Sequence, residues 1–257
     1  MKNSLISWTD NTFNAWEGCT KVSPGCKNCY AENLVDKRFK HVKWGSGNPR
    51  KRTTADYWKQ PLRWNRQAAE DGIRTKVFNA SLGDVFDTEV PKQWRDDLFA
   101  LINSTPNLDW QLLTKRPVEA VKYAAGIQWP QNAWIGTSIE DQKRAGRAQI
   151  ITKIPAPVRF LSVEPLLGPV TLNLTGIGWV IVGGESGSRH RPMQMEWARS
   201  VRDQCRAAGV AFFFKQWGGH TPDAGGHLLD GVVHHEFPTP VYRVPIVPSA
   251  MELNAAA

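Results

Sequence analysis

Apolar and polar positions along this chain follow two alternating periods. Short runs of apolar, β-branched or aromatic residues recur at Leu5–Asn11, Lys76–Ser81, Trp110–Thr114, Ala133–Thr137, Arg159–Val163, Trp179–Val182 and Val210–Lys215. Each ends in a polar or glycine-bearing turn, the usual boundary of a buried strand. Between several of them the period lengthens to that of a helix. Pro91–Asn103 places Trp94, Leu98, Leu101 and Ile102 on one face, and Met195–Ala208 carries Trp197, Val201 and Cys205 at four-residue steps. Tyr30–Phe39 and Glu140–Lys153 are further helical segments.

Strand followed by helix, repeated along most of the chain, predicts an α/β fold with a parallel sheet. Successive strand ends from residue 81 onward lie 20 to 33 residues apart, room for a helix and a right-handed return. The expected architecture is a TIM-like parallel βα barrel, complete or partial. A doubly wound open sheet shares the same periodicity. In both, chemistry sits at the C-terminal ends of the strands. Two segments break the rhythm: residues 37–66 form a basic, aromatic insertion after the first helix, and residues 218–257 form an irregular, glycine- and proline-rich tail. With no repeat, a single domain over residues 1–257 is expected.

Composition narrows the class. Hydrophobic content of 41% and charged content of 22% describe a soluble globular chain. No apolar run reaches the roughly 18 residues of a membrane span, and the opening MKNSLISWTDNTFN lacks the apolar segment of a secretory signal. The expectation is a cytoplasmic protein with no membrane partner. A net charge of +8 favours a polyanion, nucleic acid first.

Three of the four cysteines lie in one loop, Gly18-Cys19-Thr-Lys-Val-Ser-Pro24-Gly25-Cys26-Lys-Asn-Cys29, a C-x6-C-x2-C spacing between the first strand and first helix. The C-x2-C pair brings two thiolates to one centre from a tight turn, and Pro24-Gly25 bends Cys19 back towards them. Three thiolates can hold a [4Fe–4S] cluster by three irons, leaving the fourth open. They also suit a structural Cys3His zinc site with His41 as fourth ligand. Cys205, far away on a helix, reads as an inert buried thiol. The loop's place at a strand end, where barrels do chemistry, favours the cluster.

A three-cysteine loop after the first strand of a βα barrel resembles the radical SAM superfamily, whose usual spacing is C-x3-C-x2-C. WTDNTFNAWEGCTKVSPGCKNCYAE, LTKRP, SVEPLLGP and VGGESG together also resemble a phage- and prophage-borne family of largely unassigned function, over roughly residues 6–219. The superfamily resemblance implies that Cys19, Cys26 and Cys29 ligate three irons while S-adenosyl-L-methionine (SAM) chelates the fourth. One electron from an external donor would then cleave SAM to a 5′-deoxyadenosyl radical, which abstracts a hydrogen atom.

Such a cofactor needs polar groups from several strand ends. Ser81, Gly83 and Asp84 follow the second strand, Thr114 and Lys115 the third, and Ser138 and Glu140 the fourth. Glu164 follows the fifth, Gly183, Gly184 and Glu185 the sixth, and Lys215 the seventh. The superfamily's Gly-Gly-Glu segment has a loose counterpart in Gly83-Asp84 and a closer one, on a later strand, in Gly183-Gly184-Glu185. Asp84, Glu140, Glu164 and Glu185 would alternatively suit a divalent-metal nuclease with structural cysteines. An iron–sulfur or zinc DNA-binding sensor without catalysis is a third reading.

Lys37 to Arg52 holds seven Lys/Arg and no acid, with Trp44 inside it and Tyr57, Trp58 and Trp64 just beyond. Cations interleaved with aromatics suit phosphate tracking and base stacking. Lys43, Trp44, Arg50, Lys51 and Arg52, with Arg189 and Arg191 after the sixth strand, are the candidate contacts to DNA, RNA or a nucleotide. Modification or repair of a base is the reaction this combination implies.

Overall fold

The structure, a computed structural model, describes residues 4–241 and 244–248. Seven strands form one parallel sheet: β1 (Asn11–Thr12), β2 (Thr75–Asn79), β3 (Leu108–Thr114), β4 (Ala133–Ser138), β5 (Arg159–Val163), β6 (Trp179–Gly183) and β7 (Ala211–Gln216). They lie side by side in chain order, each hydrogen-bonded to the next. A doubly wound sheet would reverse direction partway, and this one does not. β1 and β7 remain as two edges. The sheet is therefore a curled half-barrel, the partial form of the expected architecture.

Alternation along the strands gives the sheet two unlike faces. Val77, Leu112, Ile135, Leu161, Val180 and Phe214 pack against helices, meeting Leu98 and Ile102 of α4 (Lys92–Asn103), Ala120 of α5 (Pro117–Ala124), Ile151 of α6 (Arg147–Ile151) and Val201 and Cys205 of α7 (Met195–Ala208). The concave face is aromatic at its base, where Trp8, Phe78, Trp134, Phe160, Trp179 and Phe213 form a separate cluster. Trp179 is its hub, with the rings of Trp8, Trp134, Phe160 and Phe213 centred 5.7–6.3 Å away. Gly136 lies under the Phe160 ring, which occupies the space a Cβ would need. Followed to their C-terminal ends, the same inward positions turn polar, at Lys115, Ser138, Ser162, Glu164 and Lys215.

Several elements differ from expectation. The first strand was expected over Leu5–Asn11 but is the two-residue pair Asn11–Thr12, because Trp8 turns inward to plug the concave face. The helix expected over Glu140–Lys153 breaks into a 3-10 turn at Gln142–Arg144 and the short α6, with Gly146 between them. The first helix, α1 (Tyr30–Glu32), continues as a π-helical stretch, Asn33–Arg38. Residues 37–66 then supply Lys51–Arg52, which pairs antiparallel with Trp16–Glu17, and the helices α2 (Ala55–Trp58) and α3, whose span Gln60–Asp71 runs beyond the segment. In the C-terminal segment, His234 O accepts from Phe214 N at 2.8 Å along β7, and Val241 N donates to Pro157 O at 2.9 Å. Among the described residues no helix is long and apolar enough to cross a membrane.

Gly136→Ala forces the Phe160 ring out of its seat, and overpacking of this kind costs about 1–3 kcal/mol. The urea midpoint of unfolding should fall accordingly, and Phe160→Leu in the same chain should restore part of it. An unchanged midpoint for Gly136→Ala would mean the concave base tolerates slack.

Candidate functional site

The cysteine loop starts where the chain leaves the Trp16–Glu17 pairing. Gly18 adopts φ +105°, and its N–H donates to Leu82 O at 3.0 Å. A side chain there would press on Val42 and Arg50. From this point the loop crosses the C-terminal ends of the strands and is tied to four of them. Arg116, after β3, donates to Thr20 O at 2.8 Å. Glu140, after β4, is buried and accepts from Ser23 Oγ, and from Arg147 at 3.0 Å. Glu185, after β6, accepts from Asn28 at 3.0 Å, while its partner Arg191 donates to Pro24 O at 3.1 Å. Tyr30 reaches Ser81 O, after β2, at 2.6 Å. Gly25 lacks the Cβ that would collide with the Glu140 side chain, so the turn can settle against that carboxylate.

Cys19, Cys26 and Cys29 are unbridged and half-buried. Burial, with Asp84 nearby, pushes the Cys19 thiol up to about 12, only partly offset by Arg116, whose Nη1 lies 3.5 Å from the sulfur. Burial also raises Cys29, against the backbone N–H groups of Glu32 and Ala31 that favour its thiolate. Thiols held this way stay protonated at neutral pH until a metal displaces the proton. Among the described residues no group of three or more His, Cys, Asp or Glu side chains is arranged to hold a metal ion. His41 is occupied elsewhere, its Nδ1 3.3 Å from Glu17 Oε2 and its ring stacked on Phe39. A cubane differs from single-ion zinc in needing one thiolate per iron, and the loop carries three free thiols. Cys205 sits in the helix-side core, away from the loop, and burial pushes it to about 12.

The carboxylates expected to face a cofactor or divalent ions each have a cation partner within the chain. Asp84 is buried and accepts from Thr114 Oγ1 at 2.7 Å, Lys115 N at 2.9 Å and Arg116 at 3.0 Å. Glu140 pairs with Arg147, Glu185 with Arg191, and Glu164 with Lys215 at 2.6 Å. Asp84, Glu140 and Glu185 are thus anchors of the cysteine loop, directly or through a paired arginine. Ser81 supplies a carbonyl to Tyr30, and Gly83 forms a bridge with Gly18. Gly184 packs against the Trp217 carbonyl, and a Cβ on Gly183 would meet the Glu164 carboxyl at 3.1 Å.

Beneath the loop the concave face keeps a smaller polar set. Lys115 and Lys215 rise from β3 and β7 and lean towards the middle strands. Lys115 Nζ lies 3.0 Å from Ser138 Oγ and forms no ion pair among the described residues, while Lys215 reaches Glu164. Ser23, Asn28, Tyr30, Arg116 and Arg147 were not singled out from the sequence. Asn28 and Ser23 lie inside the cysteine motif itself, and Arg116 inside the LTKRP segment.

The basic insertion divides. Arg50 is corrected from a nucleic-acid contact to a buried structural residue: its guanidinium is held by Asp87 at 2.8 Å, by Thr20 Oγ1 at 2.6 Å and by the Gly45 and Asn48 carbonyls. Arg52 is taken by Asp97 at 2.6 Å and stacks over Trp58, and Arg191 by Glu185. Trp44 is half-buried, with its backbone N–H on Asp36. Lys43, Lys51 and Arg189 are exposed. Two residues before Lys43 comes an exposed aromatic pair, Phe39 stacked on His41, with Arg38 over the Phe39 ring.

These features define a parallel βα half-barrel with a pinned three-cysteine loop across its C-terminal mouth. The chain belongs to the family described as a protein of unknown function (DUF5131), whose model matches residues 3–238. No curated protein matches it. Among solved structures it is similar to a mutant of spore photoproduct lyase with bound AdoMet and dinucleoside spore photoproduct, at TM-score 0.51 and 11% identity, over 79% of this chain. The match covers 63% of that structure's chain, so this protein spans under two thirds of its length. At that identity the likeness is one of fold.

Glu140→Ala leaves Arg147 unpaired in a mostly buried setting and releases Ser23, for an expected loss of about 3 kcal/mol in chemical denaturation. Glu140→Gln should lose roughly half as much, and a loss common to neither would remove Glu140 as an anchor. Burial alone would raise the Glu185 carboxyl, but hydrogen bonds from Arg191 and Asn28 hold it below its ordinary range. Its stabilisation is therefore complete above about pH 4.3, the ordinary glutamate value, and is lost as pH falls through the lowered one. Glu185→Gln should flatten the acid limb of the stability profile.

Proposed function

We propose that this protein is a radical SAM enzyme acting on nucleic acid or a nucleotide, with a [4Fe–4S] cluster on Cys19, Cys26 and Cys29. The observation that carries the reading is the placement of three free thiols on one loop, fixed by four strand ends over the mouth of a half-barrel. Similarity in fold to a structure with bound AdoMet supports it. Cys19, Cys26 and Cys29 would hold the cluster, and cluster and SAM, given one electron from a donor protein, would supply reductive cleavage of a sulfur–carbon bond and hydrogen abstraction.

The chain's own residues bind, orient and exclude water. Lys115, whose charge bears on Cys29 and whose hydrogen-bond partner is the neutral Ser138 hydroxyl, is placed to take a carboxylate. Glu164 offers an acceptor and Lys215 a donor on the later strands, with the Glu164 carboxyl packed against the bare Gly183. The aromatic cluster fills the same face below them. A nucleic-acid substrate is supported by the +8 charge and by the exposed residues Arg38, Phe39, His41, Lys43 and Lys51 of the insertion, rings for stacking and cations for phosphate. The neighbouring structure holds a dinucleoside photoproduct.

Anaerobic reconstitution followed by dithionite should yield four irons per chain and release 5′-deoxyadenosine from SAM. Cys19→Ala, Cys26→Ala and Cys29→Ala should each lose the brown absorbance, and Cys205→Ala should keep it. A four-iron protein that neither binds nor cleaves SAM would overturn the enzyme reading. Phe39→Ala should weaken single-stranded DNA or RNA binding about tenfold, within the usual range for a base–aromatic stack. Lys43→Glu and Lys51→Glu should also flatten its salt dependence, and unchanged binding in all three would remove these residues from the account.

A further inference from the structure

Cys19 differs from the other two loop cysteines in what surrounds its sulfur. Cys29 is met by backbone amides, and Cys26 has the Ser23 hydroxyl at 3.8 Å. Cys19 is met by a guanidinium. Arg116 Nη1 stands 3.5 Å from its sulfur and 3.0 Å from Asp84 Oδ2, while Nη2 binds Thr20 O at 2.8 Å and lies 3.5 Å from Asp87 Oδ1. The side chain is only 8% exposed. Asp87 is shared with the fully buried Arg50, which in turn grips the Thr20 hydroxyl. Cys19 and Thr20 are thereby clamped from two sides by arginines that two buried aspartates hold in place.

We propose that Arg116 sets the reduction potential of the cluster by donating a hydrogen bond to the Cys19 thiolate. This rests on the cluster reading given above. Reduction adds negative charge to a cluster and its sulfurs, so a fixed donor and positive charge at one thiolate stabilise the reduced form and raise the potential. Burial keeps water from screening that charge. An arginine is required because its planar fork serves the sulfur, a carbonyl and two carboxylates at once, whereas a lysine is a single point of charge. Asp84 and Asp87 fix its direction, and their own charge keeps the gain moderate. The asymmetry also marks Cys19 as the loop sulfur that a cationic side chain meets directly.

The test is a redox titration of the reconstituted protein, followed by the electron paramagnetic resonance signal of the reduced cluster. Arg116→Gln should make reduction about tenfold harder, a downward shift of ~59 mV for a one-electron couple. Arg116→Lys, which keeps the charge without the fork, should fall between it and the native protein. Arg147→Gln weakens a different loop anchor that touches no sulfur and should leave the potential where it was. Wild-type potential in Arg116→Gln with full iron content overturns the proposal. So does an equal shift in Arg147→Gln, and so does loss of the cluster in both Arg116 variants, which would make the residue an assembly clamp. A native protein that takes up no cluster would instead sink the enzyme reading itself.

Discussion

The rest of the structure depends on the contact between buried strand-end carboxylates and the loop of cysteines that lies across them. A loop of eleven residues carrying three thiols has no core of its own and would sample many shapes. Here its shape is imposed from below: Glu140 takes Ser23, Glu185 takes Asn28, and Asp84 aims Arg116 at Thr20 and Cys19. Each carboxylate is itself neutralised by an arginine, so its burial leaves no lone charge. The parallel sheet makes this possible, because only a sheet whose strands all run one way brings so many strand ends to one mouth.

The concave face divides into two layers along the same strands. Its base is an aromatic cluster centred on Trp179, with no space for a ligand where the rings interlock. Its upper layer is polar and partly open, with Lys115 and Lys215 leaning inward from separate strands. The rigid lower layer fixes the geometry of the upper one, the division a binding site requires when small displacements cost activity.

Much of this was legible in the sequence, and the limits follow a physical rule. Strands β2 to β7 and helix α7 lie within about two residues of where period-two and period-3.6 patterns put them, because those elements owe their form to one buried face. β1 was misjudged because Trp8 is apolar for a different reason, as a plug inside the sheet. In the site, the grouping of three cysteines on one loop could be read from spacing alone. Asp84, Glu140 and Glu185 could be read as strand-end positions but not as loop anchors, since their partners lie up to 157 residues away in sequence. Arg50 was the clearest loss: a charge within a basic run looks solvated, and only the fold shows Asp87 waiting for it 37 residues on.

The central claim is that the three thiols hold a cubane with one iron left for a ligand from outside the chain. Mössbauer spectroscopy of the ⁵⁷Fe-reconstituted protein tests it most directly. One iron should be distinct from the other three, and its parameters alone should change when SAM is added. Four equivalent irons indifferent to SAM, or a protein that takes up zinc and no iron, would contradict it.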